Sequence, residues 1–376
     1  MNALFLKLIQ PLPIESPSAI NANDFSTLKA QCLRHNLLPL VYTRLQKYRD
    51  IISTPEYTAD FLDKSKDVFL KGISLSTRQE ATERDIVSLL KERGIPSVVI
   101  RGNAIAKEIY DDPNCRASSD IDILIRLSDA IRVDSLFPQA GYSRNDNLPL
   151  KFWLYRMHHA VYRNPKGENI IEVHWNFGIP SFFRLSSEEI WNGVVSEGSG
   201  YGLSPEMLVI MLLVHHHMHS FRELKILVDI LWACYRYESV VDWKNLFVQL
   251  RRIGLIKTTQ ITLNQIKILW GESAEEISAI GILRSELNRL GYKEPSSLLS
   301  LSQMDIDRDH SFQDYRDKLV ARLALDDFST IVFSFVKALF PVREAIKALY
   351  DDKRNWTLPL NYLKFIKWRL TAGRGV

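Results

Sequence analysis

The chain has 376 residues, of which 46% are hydrophobic and 24% charged. That is the make-up of a globular protein with enough apolar material for a sizeable core, and its length points to two units or one core with a large helical extension. Lys and Arg number 48 against 44 Asp and Glu, and a net charge of +4 over this length excludes a dedicated nucleic-acid coat protein. Cys32, Cys115 and Cys234 are far apart with no CxxC pair, which argues against a disulfide framework or zinc knuckle and fits a reducing cytoplasm; the longest stretch lacking Asp, Glu, Lys and Arg, 207–221, holds four histidines and is too short for a bilayer span, and the amino-terminal run lacks a basic start and cleavage site, so neither secretion nor membrane spanning is expected.

In chain order, 24–48 reads as helix with Asp24 as N-cap and a break at 36–39, and 59–93 as a second, charged helix terminated by Gly94 and Pro96. Residues 97–100 read as a strand that runs into Arg101-Gly102-Asn103, after which 104–110 is helical. A polar loop leads to 120–125, where acids and aliphatic residues alternate as in a second strand. Residues 158–163 and 169–175 flank a Pro/Gly turn, 164–168, and read as a β-hairpin. Beyond residue 186 the pattern becomes helical, over 205–219, 223–237, 242–253, 258–269 and 274–290, with 295–310 the expected loop. The fold class is α+β (mixed α/β): an amino-terminal helical segment, 1–93; a small mixed sheet, 94–185; and a largely α-helical unit, 186–376, with the boundary at 181–204.

Asp120 and Asp122 are the strongest chemical feature, although alternating acid and aliphatic residues also describe the solvent-facing side of an edge strand. Side chains two apart on a strand point the same way and emerge about 7 Å apart, so two carboxylates can converge on one cation. Their repulsion needs a metal or a basic neighbour to offset it. Glu172, on the hairpin, can reach the same site from a neighbouring strand. Three oxygen donors suit Mg²⁺ or Mn²⁺, which keep waters and take further contacts from substrate phosphates. Gly102 lets backbone amides approach a phosphate and Asn103 adds a side-chain donor, although a single glycine equally makes a plain strand-to-helix turn. Arg116, just before the acidic strand, is the first candidate to compensate negative charge, ahead of Arg101 and Lys107, although a lone arginine equally caps a surface loop.

Three other groups read as structural first. His174 shares the strand face of Glu172 and is more often a hydrogen-bond partner than a catalyst. His215 and His219 lie one helical turn apart, but with no HExxH pattern, so packing is expected over a zinc site; Asp229 is expected in an ion pair with Arg222 or Lys225. The carboxyl end, 361–376, is basic and aromatic without an acid, a pattern that fits docking on the protein before peripheral contact with an anionic membrane.

The run VVIRGNAIAKEIYDDPNCRASSDIDILI, 98–125, resembles the core of the uncharacterised nucleotidyltransferase family related to the polymerase-β-type superfamily. The likeness extends to EVHW (172–175), HHHMHSFRELKILVDI (215–230), DW (242–243) and LFPVREAIKALY (339–350). The resemblance implies a cytoplasmic, metal-dependent nucleotidyltransferase that moves an NMP from an NTP such as ATP to a hydroxyl of an unidentified acceptor, small molecule or protein, by a two-metal mechanism. Asp120 and Asp122 would be Mg²⁺ ligands, Glu172 the third carboxylate and metal ligand, and Gly102 and Asn103 the triphosphate contacts, with Arg116 and Lys107 beside them. The chain departs from the superfamily in having Asn103 after the glycine, a longer glycine-to-acid interval, and Glu as the third acid. The alternative is a nucleotide-binding or antitoxin-like protein of the same fold without turnover.

Overall fold

Alternation of Asp with Ile in 120–125 makes one face of the strand polar and the other aliphatic, and the computed structural model builds the sheet on that division. It describes residues 1, 3–14, 22–49, 55–146, 148–167, 169–198, 200–292, 314–351 and 357–371; the expected loop at 295–310 lies outside them. Four helices come first: α1 (Ala3–Ile9), α2 (Ala22–Arg34), α3 (Leu38–Tyr48) and the 38-residue α4 (Pro55–Glu92). The break between α2 and α3 falls where expected, with Asn36 at φ 55°, whereas α2 begins two residues before the expected cap Asp24. Gly94, at φ +64°, ends α4, and the amides of Gly94 and Ile95 bond back to Lys91 and Leu90.

Next come β1 (Ser97–Val99), α5 (Asn103–Ile109), β2 (Asp120–Ile125), α6 (Ala130–Gln139), β3 (Ser143–Arg144), α7 (Leu150–Arg156), β4 (His159–Arg163) and β5 (Ile170–His174). They form a five-stranded mixed sheet ordered β1-β2-β5-β4-β3. The β4–β5 hairpin forms as read, and β5 lies parallel to β2 with Asp122 opposite Glu172 and Leu124 opposite His174. On one face Ile121, Ile123, Ile125, Tyr162, Ile171 and Val173 pack with Ile86 and Leu90 of α4 and Val133 and Phe137 of α6. On the other, Val98, Ile100 and Leu124 join a larger core, and the acids share that face.

The larger core is built by α1 to α3 together with α8 (Ser187–Asn192), the hairpin β6 (Val194–Glu197) and β7 (Gly200–Leu203), and α9 (Pro205–Met218), α10 (Leu224–Arg236), α11 (Trp243–Ile253), α12 (Ile256–Trp270) and α13 (Ser278–Arg289). Every residue from Met207 to Val214 is buried, so the charge-poor stretch is a central helix of the core. No described helix is long and apolar enough to cross a membrane. Three further helices, Phe328–Leu339, Arg343–Leu349 and Leu358–Thr371, follow Asp314–Leu323. The last is the basic carboxyl end; it docks through buried Phe365 onto Phe152 of α7, Ala345 and Ile346, and Arg374 lies outside the described residues.

Candidate active site

Asp122, 2% exposed, is the centre of the polar face. Its Oδ1 receives Nη2 of Arg101 at 2.7 Å and lies 2.8 Å from Nε2 of His174. Glu172, its neighbour in register on β5, places Oε2 3.2 Å from the same His174 nitrogen and 3.6 Å from Arg101 Nη2. Asp122, Glu172 and His174 each bring a ligand atom within 4.8 Å of the others. Asp120 lies one step back along the face and half-buried, its Oδ1 accepting from the hydroxyls of Ser118 (3.3 Å) and Ser119 (3.4 Å).

Arg101 occupies this place because β1 ends at Val99 and the chain turns at Gly102, leaving the guanidinium to span from β2 to the helical core, where its Nη1 sits 3.1 Å from Nδ1 of His215. The turn itself requires glycine: Gly102 has φ +64° and ψ −123°, and a Cβ there would lie 3.2 Å from Ser118 Oγ. It therefore presses the Gly102 turn against the start of β2.

The electrostatics are unequal across the acids. Burial pushes the Asp120 carboxyl up, and the charges of Asp122 and Glu172 push it further, with Arg101 and Lys225 opposing. Burial works the same way on Glu172 but is outweighed by the hydrogen bond from His174 and the charges of His159, His174 and Arg101, so its carboxyl is held well below the usual range. For His174, burial and the Arg101 charge push down, while the bonds to Asp122 and Glu172 push up and prevail. Negative charge is thus compensated at Asp122 and Glu172 and left in excess at Asp120.

The remaining residues singled out in the sequence lie elsewhere. Asn103 is buried with its amide turned to α4, its Oδ1 accepting from Ser76 Oγ at 2.6 Å and its Nδ2 donating to Glu83 at 3.2 Å. Arg116 is buried against Asp229, Nη2 to Oδ2 3.0 Å, with Tyr110 donating to Asp229 Oδ1 at 2.7 Å; Arg116 also donates to the Gly102 carbonyl at 3.4 Å. It acts on the site through the turn. The ion pair of Asp229 is thus made with Arg116, while Lys225 adds its charge nearby. Lys107 pairs with Glu80 at 3.1 Å on the surface of α4.

His216 and His217 pack between helices, against Gln265 (2.8 Å) and Thr258 (2.7 Å) of α12, while His215 faces Arg101 and stacks edge-on with His219. His159 joins the site without a motif to mark it; the one signal in the sequence is the count back from the hairpin turn, which pairs it with His174. Its Nε2 lies 3.9 Å from Glu172 Oε1.

One face of the mixed sheet thus carries two acids on β2 and a third on its parallel neighbour β5, beside a glycine turn into a helix. Residues 21–271, about two thirds of the chain, match the family described as Uncharacterised nucleotidyltransferase, and the chain belongs to that family. No curated protein and no solved structure gives a match. Membership carries the general activity, transfer of a nucleotidyl group from a nucleotide substrate.

Proposed function

We propose that this face transfers a nucleotidyl group from a nucleoside triphosphate such as ATP to an acceptor hydroxyl, with Mg²⁺ or Mn²⁺ held by Asp120, Asp122 and Glu172. The observation that carries this reading is the parallel register of β2 and β5, which sets Asp122 beside Glu172 with Asp120 on the same face. The donor set fits a hard cation: all three ligands are carboxylates, and Asp120 is pushed up by burial and then by the like charges of Asp122 and Glu172, which a cation would relieve. When bound, such an ion neutralises triphosphate charge and lowers the pKa of the attacking hydroxyl.

The chain's own residues divide the remaining work. His174 and Arg101 orient Asp122, and Arg101, already aimed at the acids, is the donor nearest to a phosphate placed there. Glu172 is ionised throughout the neutral range, and so low a proton affinity suits a ligand better than a general base. Lys225, half-buried and donating to the Ala117 carbonyl at 3.3 Å, adds positive charge near Asp120.

Two observations favour a second reading, nucleotide binding without turnover: Arg101 already lies on Asp122 and close to Glu172, and the Asn103 amide is spent on α4. Incubating the protein with each labelled triphosphate, Mg²⁺ or Mn²⁺, and a cell extract as acceptor pool separates the two. Transfer requires a labelled product with pyrophosphate release that disappears in Asp120→Asn, Asp122→Asn and Glu172→Gln. Binding without pyrophosphate release selects the second reading, and label transfer untouched by all three substitutions defeats the assignment.

A further inference from the structure

The start of the β4–β5 hairpin gathers three imidazoles that nucleotidyl transfer does not explain. The His158 carbonyl accepts the amides of Trp175 (2.9 Å) and Asn176 (3.3 Å), closing this end of the hairpin, and the next residue, His159, pairs in register with His174. The ring centroids of His158 and His159 lie 4.4 Å apart, those of His159 and His174 4.9 Å, and those of His158 and His174 5.6 Å. One nitrogen from each ring falls within 4.8 Å of the others. His158 is 8% exposed and His174 fully buried. In all three rings Nδ1 is shut off from solvent and has no hydrogen-bond partner. Three orphaned polar atoms in one cluster are costly unless something satisfies them together.

We infer that His158, His159 and His174 form a site for a divalent transition ion of the Zn²⁺ class, bound through Nδ1 of each ring and distinct from the carboxylate site for Mg²⁺. Imidazole nitrogens select such ions over Mg²⁺, and three of them leave an open coordination position. The Nδ1 choice follows from the other side of the rings. Nε2 of His174 lies 2.8 Å from Asp122 Oδ1 and 3.2 Å from Glu172 Oε2, with Arg101 Nη2 also at 2.8 Å, and Nε2 of His159 lies 3.9 Å from Glu172. A proton on Nε2 of His174, donated to these carboxylates, leaves its Nδ1 free to ligate, the carboxylate–histidine–metal arrangement that fixes a ligand's tautomer. The rings must close by roughly an ångström to reach bonds of about 2.0–2.1 Å. The Glu172 carboxylate would thereby serve both sites, one directly and one through histidine.

The test uses the full chain stripped of metal and titrated with Zn²⁺, or with Co²⁺ as a spectroscopic probe, in excess Mg²⁺. One equivalent should bind, with visible Co²⁺ absorption that Mg²⁺ does not displace. His158→Ala and His159→Ala should each weaken it by about 10- to 100-fold or more, while Asp120→Asn leaves it within about threefold. Should either alanine variant fail to fold, the unaltered protein still decides: among the nine histidines, the imidazole ¹⁵N signals of these three should shift with Zn²⁺. Absence of stoichiometric binding, binding indifferent to both alanine variants, or shifts confined to other histidines would overturn the inference.

Discussion

Asp122→Asn and Asp120→Asn, two residues apart on one strand, should change stability in opposite directions while both abolish nucleotidyl transfer. Asp122 is buried and holds Arg101 at 2.7 Å, with the arginine side chain itself 10% exposed. Asparagine keeps the shape and removes the charge, leaving a nearly buried guanidinium whose remaining carboxylate, Glu172, is 3.6 Å away. Removing one member of such a pair costs about 3 kcal/mol. With an unfolding entropy of about 2.1 cal/mol/K per residue over 376 residues, that is a fall in melting midpoint of about 4 °C. At Asp120 the sign reverses. Burial and the charges of Asp122 and Glu172 raise its folded pKa above the ordinary value of 3.8, so the ionised form costs stability at every pH above that value and nothing well below it. Asparagine removes the penalty, and the midpoint should rise at neutral pH, with the gain fading as pH falls through the carboxyl range. Calorimetry in a metal chelator measures both. An unchanged midpoint in Asp122→Asn, or equal losses in the two variants, would refute the charge distribution argued here.

Two more outcomes follow from the same neighbourhood. Glu83, which accepts from Asn103, is pushed up to about 7 by burial and then by Glu80, from an ordinary value of 4.5. Its ionisation therefore opposes folding fully above about pH 7 and not at all below about 4.5, so Glu83→Gln should stabilise by up to about 3 kcal/mol in mildly alkaline buffer and by much less in mild acid; urea unfolding at both pH values checks this, and a gain independent of pH would count against it. Gly102→Ala forces a side chain into a φ of +64° and to within 3.2 Å of Ser118 Oγ, which donates to the Asp120 carbonyl at 3.1 Å. It should lose about 1–3 kcal/mol in thermal unfolding together with nucleotide binding by titration calorimetry, and a variant that melts and binds like the parent would exclude a constrained turn.

Local chemistry in the sequence determined a good deal of this protein. The alternation in DIDILI assigns each residue to a face, Gly94 ends α4, Gly102 turns the chain after β1, and the Pro/Gly turn joins β4 to β5; each depends on neighbours a few residues away. The same logic erred at the start of α2, where a good capping residue sits inside the helix.

Only the tertiary structure decided who meets the acids. Periodicity names a face but not the strand that pairs with it, and the register that sets Glu172 beside Asp122 depends on a crossover built from α6, β3, α7 and β4. Arg116, four residues before the acidic strand, is drawn to Asp229 on a helix 113 residues away, while Arg101 reaches the carboxylates with His215 behind it. A buried charge takes the partner that packing supplies, and packing is settled by the whole core rather than by distance along the chain.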